Sequence, residues 1–208
     1  MTVTESTVYV HPAGSDELPD VTRALSRAFL GDRIFRWIYP DEAQRRESVP
    51  AFFSVIVDAF WPHGAVYAAP SGAGGALWLP PGEQLVADAD ADAFGRRIEA
   101  LPGTGADAAR MAEVVGLLER HHPHEPCWYL NFVGVDPAWQ GRGIGSTLMA
   151  PVLYRADRDG VPAYLEATSP DNRRLYERHG FRTIRELTTS GCPPLYAMWR
   201  EPQAVNVR

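Results

Sequence analysis

A glycine-rich turn, lying between an apolar segment and a predicted helix, is the part of this sequence best suited to bind a ligand. The apolar segment ends at Val135, and residues 140–145 then read QGRGIG. Glycines at alternate positions let a ligand approach the backbone amides without meeting a Cβ atom. Because unpaired N–H groups and the dipole at a helix N-terminus attract negative charge, the turn predicts a site for an anion such as a phosphate. Arg142 adds a positive charge.

Two common phosphate-binding turns are excluded by residue type and spacing. The dinucleotide-binding pattern needs a glycine three residues after its second glycine, but Ser146 stands at that distance from Gly143. The P-loop needs a lysine, and the chain contains none, so all 20 of its basic residues are arginine. The same absence excludes a pyridoxal-phosphate Schiff base.

A second pattern begins at residue 165, where LEAT ends a predicted strand. The short helix that follows carries Asn172 and Tyr176 on one side, because they are four residues apart, and it is followed by Gly180 and Phe181. The two patterns in this order resemble the GNAT superfamily of N-acetyltransferases. Over residues 121–181 the chain is similar, more narrowly, to the puromycin N-acetyltransferases and their relatives.

The resemblance implies the GNAT fold, which is of the α/β class (α+β type). Its centre is a mixed, mostly antiparallel, twisted sheet of about six or seven strands, flanked by helices. The sheet is splayed between its fourth and fifth strands, and the opening holds the arm of acetyl-CoA, the cosubstrate. The cofactor-binding residues that the resemblance implies are Val133, Gly134, Val135, Gln140, Gly141, Arg142, Gly143, Ile144, Gly145, Ser146, Asn172 and Tyr176.

Two residues are candidates for catalysis. By resemblance, Tyr176 would protonate the departing thiolate, and a phenol with a pKa of about 10 suits a thiol of similar acidity. Many relatives carry a basic carboxylate on the strand before the glycine turn, but residues 128–132 read WYLNF and contain none. Glu166, on the next strand, is the remaining candidate base, or else it satisfies a buried hydrogen-bond network.

The acceptor side is less well marked. The segment between the first two predicted helices lines the acceptor site in this superfamily, and here it is rich in aromatic residues. These residues would form a pocket for an aromatic or nucleoside-like amine, or else belong to the core or to a dimer contact. They are Phe29, Phe35, Trp37 and Tyr39.

No metal site is expected. Residues 121–125 read HHPHE, but the intervening proline and the missing helical spacing of histidines argue against metal ligands. The segment is more typical of a polar turn entering a strand.

The hydrophobic pattern predicts the elements that must position these residues. Pro50 predicts the start of a helix or a kink within one. Strands are predicted at 7–10, 65–69, 75–79, 128–135, 163–167, 181–187 and 195–199. Helices are predicted at 16–29, 41–60, 91–100, 106–120, from the glycine turn to 159, and at 171–179.

The chain of 208 residues is predicted to form a single domain. Within it, residues 7–120 form the acceptor-side half and residues 121–200 the acetyl-CoA-binding half. A net charge of −6 disfavours nucleic-acid binding. No apolar run is long enough to span a membrane, and the first residues show no secretory signal. We therefore expect a cytoplasmic protein, either a monomer or a homodimer.

The resemblance implies an acetyl-CoA-dependent enzyme that acetylates the primary amine of a small molecule, such as an aminonucleoside-like antibiotic or a metabolite. Two alternatives remain open: a peptide or protein N-acetyltransferase, and a non-catalytic acyl-CoA-binding module. A serine hydrolase is disfavoured because the sequence has no G-x-S-x-G motif.

Overall fold

A mixed sheet forms the centre of the computed structural model, which describes residues 9–204. Across the sheet the strands lie in the order β1-β2-β3-β4-β5-β7-β6, and all neighbours are antiparallel except β4 and β5. The predicted mixed, mostly antiparallel sheet is thereby confirmed. The strands are β1 (His11–Pro12), β2 (Val66–Ala68), β3 (Gly74–Leu79), β4 (Trp128–Val135), β5 (Ala163–Ala167), β6 (Arg182–Leu187) and β7 (Leu195–Arg200).

Helices flank this sheet on both faces. Most of them begin at a residue whose side chain accepts a hydrogen bond from the first turn, as Asp41 does from the amide of Gln44 at 2.8 Å. The helices are α1 (Leu18–Phe29), α2 (Arg33–Ile38), α3 (Glu42–Phe60), α4 (Ala91–Glu99), α5 (Gly105–His121), α6 (Ile144–Asp159) and α7 (Pro170–Glu177). Among residues 9–204, none of the helices combines the length and the apolar character that spanning a bilayer requires.

Two hydrophobic clusters fill the space between the helices and the sheet. On one face α1, α3 and α5 contribute buried residues such as Leu25, Phe53 and Leu117. On the other face α6 contributes Leu148 and its neighbours, and α7 contributes Tyr176. The glycine turn and the helix of the second motif therefore lie on the α6 side of the sheet.

The parallel pair β4–β5 is short, and its shortness opens the sheet. Only Trp128, Tyr129 and Leu130 of β4 pair with β5. A register shift against β3 leaves Asn131 as an extra residue in β4. The rest of the strand, as far as Val135, has no partner strand on its β5 side within residues 9–204. The predicted splay between the fourth and fifth strands is thus present.

Three local predictions differ from the structure. The first strand is His11–Pro12 rather than 7–10, and residues 7 and 8 lie outside the described residues. Helix α3 begins eight residues before Pro50 and continues through it, so Pro50 does not start the helix. Helix α2 is not predicted, because six residues are too few to show a helical period.

Candidate active site

The glycine turn leads into the first turn of α6, as the sequence predicts. Strand β4 ends at Val135, and the Gln140 side-chain amide donates to the Val135 carbonyl at 3.0 Å. Gly141 and Gly143 have φ angles of +76° and +77°, a left-handed conformation that other residues adopt only with strain. Gly143 caps α6 without a side-chain hydrogen bond, which leaves the amides of the first helical turn free for a ligand.

The splay and this turn enclose a cleft of about 680 Å³. Every residue predicted to bind the cofactor lines it except Arg142, whose guanidinium lies over the Trp139 ring at 4.9 Å from the centroid. The structure thus brings together two motifs that are separated in sequence by α6 and β5. The lining residues are Ala28, Phe29, Gly31, Asp32, Arg33, Val133, Gly134, Val135, Trp139, Gln140, Gly141, Gly143, Ile144, Gly145, Ser146, Ser169, Asn172, Leu175, Tyr176 and Arg178.

Helix α7 places Asn172 and Tyr176 at this cleft. The helix starts after Ser169, whose hydroxyl accepts from the backbone N–H of Asn172 at 3.1 Å. Tyr176, one turn later, is 8% exposed and packs edge-on against Phe181. Burial, together with the nearby negative charge of Asp32, holds the pKa of Tyr176 well above its usual value. A phenol keeps its proton at neutral pH even at its usual pKa of about 10, so the rise makes Tyr176 a weaker acid than a free phenol and less closely matched to a thiol.

Glu166 lies outside the cleft. The Tyr129 hydroxyl donates to its Oε2 at 2.7 Å, and its Oε1 is buried with no hydrogen-bond partner within residues 9–204. Burial raises the pKa of Glu166 to about 7, although the hydrogen bond from Tyr129 opposes the rise. A carboxyl with this pKa suits proton transfer at neutral pH, but Glu166 is not among the lining residues of the cleft.

His121 and His122 contact protein groups. His121 Nδ1 lies 2.8 Å from the Leu117 carbonyl oxygen, and the His122 ring packs against Tyr129 and Tyr164. Within residues 9–204, no group of three or more His, Cys, Asp or Glu side chains is arranged to hold a metal ion.

Of the four aromatic residues predicted on the acceptor side, the structure brings one to the cleft. Phe29 lines it and packs against Phe53 and Phe132, with ring centroids 5.3 and 5.5 Å away. Phe35 and Tyr39 are buried in the core at 5% and 4% exposure, and Trp37 packs half-buried against the same cluster.

Asp32 is a cleft residue that the sequence analysis does not predict. Its Oδ1 caps α2 by accepting from the amides of Ile34 and Phe35, at 2.8 and 3.4 Å. Its Oδ2 accepts from the Thr168 hydroxyl at 2.6 Å. An aspartate just before an apolar run is a helix-start signal and identifies the cap. Its place in the cleft depends on a contact with a residue 136 positions away.

The sequence model of the acetyltransferase (GNAT) family matches residues 76–181, just over half of the 208-residue chain. This protein belongs to that family. It is therefore an acyltransferase, and the family to which it belongs uses acetyl-CoA as cosubstrate.

Individual relatives agree with this assignment. An uncharacterised N-acetyltransferase of Schizosaccharomyces pombe is 28% identical over 184 residues, covering 78% of this chain and 70% of that protein. The crystal structure of "histone acetyltransferase HPA2 and related acetyltransferase" from Corynebacterium glutamicum has a TM-score of 0.71 at 27% identity, covering 96% of this chain and 99% of that one. Arylalkylamine N-acetyltransferase 2 of Aedes aegypti shares the fold, with a TM-score of 0.64 at 14% identity and coverage of 95% and 100%.

Proposed function

We propose that this protein transfers an acetyl group from acetyl-CoA directly to the primary amine of a small molecule. The observation that carries the proposal is the cleft between β4 and β5. It is lined both by the first turn of α6, whose amides donate no hydrogen bond to a side chain of the cap residue, and by Tyr176. The first supplies an anion site, and the second supplies a protonated phenol in the same cavity.

The residues of the cleft fit acetyl-CoA in charge and in hydrogen bonding. The amides of Ile144, Gly145 and Ser146 suit the pyrophosphate, and Arg178 adds a positive charge in the same cavity. The free edge of β4 beyond Leu130 offers backbone donors and acceptors to an extended, amide-bearing arm such as pantetheine. In this arrangement the thioester would lie beside Val133, close to where the strands part.

The chemistry asked of the protein is modest. The neutral amine attacks the thioester carbonyl, a C–N bond forms, and the C–S bond breaks. The phenol of Tyr176 gives its proton to the departing thiolate, and the nitrogen loses one proton to water or to a base. In this proposal, backbone N–H groups of β4 would stabilise the negative charge that develops on the carbonyl oxygen.

For the acceptor we propose a small amine, and the narrower likeness to puromycin N-acetyltransferases favours an aminonucleoside-like compound. Phe29 is the aromatic residue at the cleft that would contact such an acceptor. The name of the Corynebacterium relative points instead to a protein acceptor for that enzyme, so peptides belong among the compounds tested.

Release of free thiol from acetyl-CoA tests the proposal. We expect release that depends on an added amine from a panel of puromycin, spermidine, kanamycin, phenethylamine and a short peptide. If acetyl-CoA raises the melting temperature but no amine causes release, the protein binds acyl-CoA without acetylating these acceptors. Release with the peptide alone would replace the small-molecule acceptor with a protein.

Tyr176→Phe tests the acid. We expect turnover to fall by about a hundredfold or more, since general acids contribute at least that much, while the Kd of CoA changes little. Tyr154→Phe, on the exposed side of α6, is the matched control and should keep full turnover. Equal turnover in both variants would remove Tyr176 from the mechanism.

A further inference from the structure

We propose that Asp32 binds the positively charged amino group of the acceptor, and that Thr168 and Asn172 position its carboxylate. The acceptors would then be amines that are protonated at neutral pH, and the bound ammonium would give one proton to water before the neutral nitrogen attacks the thioester. This inference rests on the proposed function and assigns the side chain that selects the second substrate.

The charges around the cleft point to Asp32. It is the one acidic side chain among the described residues that line the cavity, and it shares the cavity with Tyr176. The other charged lining residues are Arg33 and Arg178. Within residues 9–204 no basic nitrogen lies within 4.0 Å of the Asp32 carboxylate, so its charge is not neutralised by an ion pair.

The hydrogen bonds of Asp32 hold its carboxylate in place without cancelling its charge. All its donors are neutral: two backbone amides of α2 and the hydroxyl of Thr168. A carboxylate oxygen accepts more than one hydrogen bond, so Oδ2 retains capacity for a further donor. An alkylammonium group supplies such a donor together with the missing positive charge.

A hydrogen bond from Asn172 to Thr168 sets the direction of the one from Thr168 to Asp32. The side-chain amide of Asn172 donates through Nδ2 to Thr168 Oγ1 at 3.2 Å, so the hydroxyl hydrogen of Thr168 is left to point at Asp32 Oδ2, 2.6 Å away. Asn172 and Tyr176 lie one turn apart on α7. One helix thus orients the carboxylate that binds the amine and also carries the proposed proton donor.

Asp32→Asn removes the negative charge but keeps the cap of α2, because asparagine caps a helix about as well as aspartate does. Acceptors that support turnover should show at least a tenfold rise in KM, with kcat changed less than threefold. The Kd of CoA and the melting temperature should stay near the wild-type values. The probes are puromycin, spermidine, kanamycin and phenethylamine, with aniline as an amine that is uncharged at neutral pH.

Asp41→Asn is the matched control, because Asp41 caps α3 in the same way and does not line the cleft. It removes one negative charge from the protein and should leave KM unchanged. Thr168→Val should raise KM severalfold, and Thr168→Ser should restore it, since only serine keeps the hydroxyl. A packing role for Thr168 would give the opposite order.

Three outcomes overturn the inference. Asp32→Asn with an unaltered KM would show that the carboxylate does not bind the amine. Aniline as the best wild-type acceptor would contradict selection of a cation. Equal loss of stability in Asp32→Asn and Asp32→Ala would reduce Asp32 to a structural role. Wild-type protein that acetylates none of the amines is a failure of the proposed function itself, with which this inference would also fall.

Discussion

The Glu166 carboxyl is held where ionisation is costly. It lies beside Tyr129 and Tyr164, whose side chains pack on the α1 and α3 face of the sheet, and only one of its oxygens has a hydrogen-bond donor within residues 9–204. Burial raises its pKa to about 7. The same perturbation that would make Glu166 a suitable base therefore makes it a pH-dependent weak point of the fold.

The sign of this pH dependence follows from the direction of the pKa change. Below the unfolded pKa of about 4.3, both states are protonated and Glu166 contributes nothing to the pH dependence. Between that value and a pH of about 7, the folded protein keeps the proton while the unfolded chain loses it. Stability therefore falls as the pH rises through this window, by about 4 kcal/mol in all.

Glu166→Gln should remove this loss, because glutamine cannot ionise and can still accept from Tyr129. Relative to wild type, we expect the variant to gain about 3 kcal/mol in free energy of unfolding between pH 4.5 and pH 8, measured by urea denaturation. Glu186→Gln, on the exposed face of β6, controls for the loss of one negative charge. If the difference in free energy of unfolding between variant and wild type stays constant over this pH range, folding does not change the pKa of Glu166. A large fall in turnover would support its role as the base.

At the scale of elements, the close contact of α1 with β4 shapes the cleft. A Cβ atom at Gly134 would lie 2.9 Å from the Ala28 Cβ, 3.0 Å from Leu25 Cδ2 and 3.2 Å from Phe29 Cε2. The helix therefore lies directly on the strand at this glycine. The loop after α1, which carries Asp32, is held close to the open edge of β4 for the same reason.

Gly134→Ala should disturb this contact. Because the new methyl group meets well-packed side chains, we expect a loss of about 1–3 kcal/mol in free energy of unfolding, measured with urea. Gly95→Ala is the matched control, since Gly95 lies in α4 with nothing within 4 Å of an added Cβ, and alanine favours a helix. It should be neutral or stabilising. A Gly134→Ala protein as stable as wild type would mean that α1 moves away from the sheet at little cost.

At the scale of the whole molecule, a charged pair joins the last strand to α6. The Arg200 guanidinium donates to both oxygens of Asp157 at 2.7 Å, and its Nε donates to the His179 carbonyl at 2.7 Å. The side chains are 4% and 16% exposed. Burial by itself would raise the pKa of Asp157. The hydrogen bond and the charge of Arg200 outweigh that effect, so the pKa lies below its usual value. The stabilisation is therefore present at neutral pH and is lost as the pH falls through that lowered pKa.

Asp157→Asn should leave the buried guanidinium without its counter-charge. We expect the free energy of unfolding at pH 7 to fall by about 3 kcal/mol, as is usual when one member of a buried pair is removed. Asp159→Asn, two residues away in an exposed pair with Arg158, should change stability little. If the two variants lose the same amount, the Arg200–Asp157 pair contributes no more than a surface pair.

The amino-acid sequence alone determined the parts of this protein that depend on local chemistry. The glycine turn, the strands on either side of α6 and the placement of Asn172 and Tyr176 on one helix face follow from residue type and spacing over a few residues. These motifs carry the resemblance to the GNAT superfamily, and it is that resemblance which implied the splayed sheet. Only the tertiary structure decided which side chains outside these two motifs share the cleft. Asp32 lines the cleft and is held there by its hydrogen bond from Thr168. Phe35 and Tyr39 are buried in the core, and Glu166 lies outside the cleft. These placements depend on contacts between residues far apart in sequence, and no local pattern records such contacts.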